Sequence, residues 1–86
     1  MNNLLKKYIN SLTIDKLNEL LIKNDIYLNN NELSILLNLI KDNFNDILIN
    51  DIKYLKILKD KMDIENYNKI ENLFSYYKNR YKGYLF

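Results

Sequence analysis

The sequence predicts an all-α domain, a small compact bundle of four to five short helices. Three observations carry that expectation. Apolar side chains recur at the i, i+3, i+4, i+7 spacing of one helix face along most of the chain. Helix-start signals repeat, each with a capping side chain and two apolar residues at staple spacing around it. Breakers are scarce: 86 residues hold no proline and one glycine, and no Pro/Gly/Ser-rich linker marks a second unit. One helical domain is therefore expected over residues 1–86, with 83–86 as a short C-terminal tail.

A first helix is expected over residues 3–10, with Leu4, Leu5, Tyr8 and Ile9 on one side. In the following L-T-I-D-K-L, Thr13 reads as the N-cap of a second helix. Asp15 lies in its first turn, where the helix dipole favours a carboxylate, and Leu12 and Leu17 take the staple positions. That helix points Leu17, Leu20 and Leu21 inward and ends near Asn24–Asp25. Ile26 and Leu28 bracket the connection to the next one.

The stretch Leu28 to Phe44 is the most apolar and is expected to organise the rest. Asn29 can cap it, Glu32 stands at the capping-box position, and Leu28 and Leu33 repeat the staple. Leu33, Leu36, Leu37, Ile40 and Phe44 form one stripe, which Ile35 and Leu39 widen. Leu33, Leu36, Leu37 and Ile40 are the expected centre of the core, and the helix should end around Asp42–Asn45. A fourth helix should begin after Asn50 or Asp51, with Ile52, Leu55, Leu58 and Met62 on one stripe that Tyr54 and Ile57 broaden. Asp63 then caps the last helix, with Met62 and Tyr67 at staple spacing. Tyr67, Ile70, Phe74, Tyr77 and Tyr81 follow a 3-4-3-4 pattern beside Leu73, and Gly83 falls where a left-handed C′ residue would end it.

A domain of this size buries only about 60–65% of its unfolded surface, so its stability rests on good packing or on self-association. Leu, Ile, Asn, Lys and Tyr dominate, while Ala, Val and Gln are missing; A/T-rich codons favour this set, so the bias reads as genomic. The helical periodicity between the asparagines argues against a prion-like tract. No run approaches the ~18 apolar residues of a membrane span, and M-N-N-L-L-K-K-Y-I-N-S has no apolar signal region. The expectation is a cytoplasmic protein. Residues 1–43 balance five Lys against five acidic residues; residues 44–86 carry eight basic and six acidic, mostly basic after Glu71.

The order L-T-I-D-K-L, a short break, I-Y-L-N-N-N-E-L, a second break, then I-E-N-L-F-S-Y-Y resembles a family. It is similar to the small YqfT-type proteins of low-GC Gram-positive bacteria, whose function is unknown. The resemblance covers residues 4–77 and implies a helical fold and a bacterial cytosol, with no site residues to carry over. The K-N-R-Y-K-G-Y-L-F tail departs from that pattern.

Chemistry is bounded by what is missing. Without His or Cys the chain lacks the commonest general base and the usual zinc ligands, and no disulfide can form. One glycine cannot build a P-loop or a dinucleotide fingerprint, and no G-x-S-x-G surrounds Ser11, Ser34 or Ser75. Asp42 and Asp46, or Asp60 and Asp63, have helical spacing for paired carboxylates, but they sit near expected helix ends, where capping explains them. As a calcium loop, residues 42–53 fail: Phe44 stands at the third position, Ile47 where glycine is required and Lys53 at the last. No enzyme, cofactor, metal or small-molecule substrate is expected.

Three interaction readings remain. The C-terminal run interleaves Lys78, Arg80 and Lys82 with Tyr76, Tyr77, Tyr81 and Tyr84, and cations with flat rings can hold phosphates and stack bases. Lys78, Arg80, Lys82, Tyr81 and Tyr84 are the candidate nucleic-acid contacts. Basic residues in a last helical turn also complement the dipole, and a whole-chain charge of +2 is no nucleic-acid signature. A helix-turn-helix over residues 14–43 would offer only Asn31, Ser34 and Asn38 to bases. The leading expectation is a small non-enzymatic protein-interaction module that binds a partner protein or itself. Its motive is an apparent surplus of apolar side chains: Ile22, Ile35, Leu39, Ile47 and Ile49 would offer a groove or dimer surface unless a five-helix arrangement covers them all.

Overall fold

In the computed structural model the backbone is described for residues 3–47 and 49–80, with side chains for all of these but 3–5 and 45. Five helices follow one another: α1 (Asn3–Asn10), α2 (Ile14–Lys23), α3 (Asn30–Ile47), α4 (Asp51–Lys59) and α5 (Ile64–Arg80). No strand occurs among the described residues, so the chain is an all-α bundle as expected. The central α3 packs against α1, α2 and α4, and α5 packs on α4. A radius of gyration of 12.2 Å is close to the roughly 12 Å of a compact domain this long, so no helix projects away from the bundle.

Local capping chemistry explains where the helices begin. The Thr13 side chain accepts a hydrogen bond from the Lys16 N–H at 3.2 Å, which starts α2. At α3 both arms of the capping box form: Glu32 N–H donates to Asn29 Oδ1 at 2.8 Å, and Asn29 N–H donates to Glu32 Oε1 at 3.0 Å. Asp63 Oδ2 accepts from the N–H groups of Glu65 and Asn66 at the start of α5. Of the residues at staple spacing, Leu12, Leu17, Leu33 and Tyr67 are buried while Leu28 and Met62 pack against the core.

α2 ends in a Schellman motif. Ile26 N–H donates to the Leu21 carbonyl and Asp25 N–H to that of Ile22. Asp25 holds the left-handed position at φ 60°, a conformation that glycine adopts without strain. Leu21 and Ile26, the two residues this motif brings together, are both fully buried.

The core comprises Leu12, Leu17, Leu21, Ile26, Leu33, Leu36, Leu39, Ile47, Tyr54, Leu55, Leu58, Tyr67, Ile70 and Phe74. Its position corrects the expected face of α3. Leu33, Leu36 and Leu39 are buried together with Glu32, whereas Leu37 and Ile40, expected at the centre, are only half-buried. At about 100° per residue, the inward direction is turned by about 60° toward Glu32 and Leu39. α3 is packed by α1, α2 and α4, and its Glu32 carboxylate turns in to accept from the Asp63 N–H just ahead of α5. The helix also runs one turn beyond the expected end. Asn43 leaves helical geometry at φ −127°, ψ 19°, with its amide on the Leu39 carbonyl at 2.9 Å, and the extra turn buries Ile47.

Two further placements differ from expectation. On α4 the buried residues are Tyr54, Leu55 and Leu58, while Ile52 and Ile57 face out. Tyr54 can be buried because its hydroxyl has an acceptor, Asp46 Oδ2 at 2.7 Å. On α1, Tyr8 is exposed and Ile9 half-buried; the Leu4 and Leu5 side chains lie outside the described residues. Tyr81 and Gly83 also lie outside them. The α5 stripe otherwise follows its pattern, with Tyr67, Ile70 and Phe74 buried and Tyr77 half-buried.

Long-range polar ties join the helix ends. Lys41 Nζ donates to the Leu12 carbonyl at 2.9 Å, closing the α1–α2 turn over α3. Lys69 Nζ donates to the Asp25 carbonyl at 2.8 Å, and Asn66 to that of Tyr27 at 3.1 Å, which ties α5 to the α2–α3 connection. No buried side-chain polar atom among the described residues lacks a partner.

Candidate functional site

The basic-aromatic end of α5 is described only as far as Arg80, so Tyr81, Lys82 and Tyr84 lie outside the described residues. Lys78 stands in the last turn of α5 and pairs with Asp51 Oδ1 at 3.1 Å, in the first turn of α4. That ion pair joins a helix C-terminus to a helix N-terminus, and each charge complements its own helix dipole. Lys78 therefore has a structural partner before any phosphate arrives. Arg80 is exposed and engaged in its own interactions.

Upstream on the same helix, the rings of Tyr76 and Tyr77 meet edge to face with centroids 5.3 Å apart. They border an open cleft of about 450 Å³ between the end of α2 and α5, lined also by Asn24, Ile26, Lys69, Asn72 and Leu73. Lys69 is committed there, since it pairs with Asp25 and Glu65 as well as holding the Asp25 carbonyl. The cleft has a polar rim but no converging acid, base or nucleophile.

The carboxylates with helical spacing separate into individual duties. Asp46 accepts from the Tyr54 hydroxyl and from the Asn50 amide, and these bonds hold its carboxyl below the ordinary 3.8, with Lys53 adding a smaller effect. The same contact to Asp46 pushes the Tyr54 hydroxyl above its ordinary 10.0, with burial acting in the same direction. Asp42 is exposed, Asp60 is the C-cap of α4, and Asp63 caps α5. No group of three or more acidic side chains that could hold a metal occurs among the described residues. Of the proposed base-reading set, Asn31 and Asn38 are exposed and Ser34 is half-buried.

The apolar residues expected in surplus divide. Leu39 and Ile47 are buried and Ile35 is half-buried, while Ile22 and Ile49 are exposed. The sequence reading missed Ile52, Ile57 and Ile64, assigning the first two to the core. Together with Ile49 they place four exposed isoleucines between residues 49 and 64, with Ile52 at 67% and Ile64 at 58% exposure. The signal that could have found Ile52 and Ile57 is their spacing: five residues apart, they cannot both lie on the inward arc that Leu55 and Leu58 share.

No helix among the described residues is long and apolar enough to cross a membrane. Comparison with protein-family models, with curated proteins and with solved structures finds no match in any of the three.

Proposed function

We propose that this chain is a small non-enzymatic interaction module that binds a partner protein or a second copy of itself. The observation that carries the reading is the group of exposed isoleucines at 49, 52, 57 and 64, on and beside α4. Four of the sixteen residues from 49 to 64 are exposed isoleucines, and a partner that covered any of them would gain free energy. The resemblance to a bacterial family and the cytoplasmic setting belong to the same proposal. Light scattering over a range of concentrations tests self-association, and a pull-down from a bacterial lysate tests for a partner. A chain that stays monomeric and captures no protein contradicts it.

The second reading, weak association with RNA or DNA through the C-terminal segment, draws support from the exposed ring of Tyr76 beside the basic end of α5. The Lys78–Asp51 pair counts against it, because a phosphate contact would have to compete with an ion pair already made. Sequencing nucleic acid recovered in the same pull-down tests this reading.

A further inference from the structure

We propose that the outward face of α4 is the docking surface, and that its occupant is an acidic amphipathic segment of a partner protein. The proposal rests on the interaction-module reading and names its surface and the chemistry of its partner. Tyr54, Leu55 and Leu58 fix which side of α4 faces the core. At about 100° per residue, the opposite side presents Ile52, Lys56, Lys53 and Ile57 in that order around the cylinder, with Lys59 beside Ile52. All five are exposed. The lysines thus hold the middle of the face and the isoleucines its edges.

The negative charge that could neutralise this face is mostly turned elsewhere. Asp51 points to Lys78 on α5, and Asp46 is held by Tyr54 and Asn50. Asp60, at the end of the helix, is one exception, and Asp46 is a partial one because it attracts Lys53. Lys53 and Lys59 place their ammonium groups over the rings of Tyr54 and Tyr67, at 5.4 and 5.9 Å from the centroids, and neither makes an ion pair among the described residues. Lys56 makes no ion pair among the described residues.

Charge complementarity selects an anionic occupant, and the arrangement selects which kind. A helix that lies in a lipid interface has a continuous apolar arc with lysines at its rims, and here the order is reversed. A nucleic acid would use the lysines, but the isoleucines at the edges gain nothing from phosphates, and the one ring of α4, Tyr54, is buried. A polypeptide with acidic side chains between apolar ones uses both parts of the face.

The test is a titration of the isotope-labelled chain with a synthetic helical peptide bearing a glutamate stripe flanked by leucines. The same peptide with glutamine for glutamate, phosphatidylglycerol vesicles and a DNA duplex run in parallel. The expected result is amide shifts centred on Ile52, Lys56 and Ile57, with affinity that weakens as salt rises. Lys56→Glu, Ile52→Ser and the glutamine peptide should each weaken binding by at least about fivefold. Both substituted positions are exposed, and unchanged shifts in the core confirm that each variant folds. No response to the acidic peptide overturns the proposal, as does a stronger response of this face to vesicles or duplex. Shifts confined to another face overturn it as well but leave the broader reading standing, which fails only through the scattering and pull-down measurements.

Discussion

The carboxylate of Glu32 accepts a hydrogen bond from the backbone N–H of Asp63, 31 residues later, at 3.3 Å. Its other oxygen holds the N–H of Asn29, so one buried side chain serves the starts of α3 and α5 together. Removing it leaves backbone donors without their acceptor in a part-buried place. Glu32→Ala should therefore cost about 1–3 kcal/mol, and Glu32→Gln, which keeps an acceptor oxygen, should cost less. Urea denaturation of the two variants measures the difference. Equal losses would mean that the isosteric side chain with one acceptor oxygen retains nothing, and that the carboxylate with both oxygens accepting is what Glu32 supplies.

The turned face of α3 makes a paired prediction about packing. Leu36 is fully buried and its truncation to alanine should cost about 2–5 kcal/mol, whereas Leu37→Ala, at a half-buried position, should cost about 1 kcal/mol. Denaturation of both variants checks the order. A larger loss at Leu37 would restore the face that periodicity alone suggests.

Asp25 pays for its left-handed backbone without the freedom of glycine. Its carboxylate is exposed and lies 3.6 Å from Lys69, a pair worth little in water, while the stronger contact from Lys69 goes to the backbone carbonyl and survives substitution. Asp25→Gly should then stabilise the chain by about 1 kcal/mol. A rise in thermal midpoint is the expected readout, and a fall would show that the carboxylate matters more than the strain.

The Asp46–Tyr54 contact sets a pH dependence with opposite signs at the two ends of the scale. The lowered Asp46 carboxyl contributes stability above its ordinary 3.8, which is lost as pH falls through the lowered folded value. The raised hydroxyls of Tyr54, from its bond to Asp46, and Tyr67, chiefly from burial, contribute stability below 10.0, which is lost as pH rises through their raised values. Tyr54→Phe should move the Asp46 titration midpoint up toward its ordinary value, read from the carboxyl carbon by NMR. An unmoved midpoint would assign the shift to Asn50 instead.

The starts of α2, α3 and α5 were legible because caps are local. Thr13, the Asn29–Glu32 pair and Asp63 each act within four residues, and each does what its spacing predicts. Which side of a helix faces inward was less legible. Apolar residues at 33, 35, 36, 37, 39 and 40 cover more than half of the α3 circumference, so periodicity cannot choose among them; the choice is made by the elements that pack there. Long-range ties carry no sequence signal at all. Lys41, Lys69 and Lys78 find their partners 29, 44 and 27 residues away, and nothing near them in the chain names Leu12, Asp25 or Asp51. For the same reason Lys78 could be recognised as a basic residue at a helix end but not as half of an ion pair. The exposed isoleucines of α4 were hidden by the stripe through Leu55 and Leu58, because an apolar residue is assigned to the core until a neighbour such as Tyr54 is seen to occupy it.

The most direct test of the interaction reading is a comparative pull-down with the natural chain and an Ile52→Ser/Ile64→Ser variant. Both positions are among the most exposed isoleucines, so circular dichroism and thermal midpoint should match in the two proteins. The predicted result is at least one protein, or a second copy of the chain, held by the natural sequence and recovered about tenfold less with the variant, as expected when an interface loses buried apolar anchors. Identical recovery by the two proteins, or no recovery by either, contradicts the account.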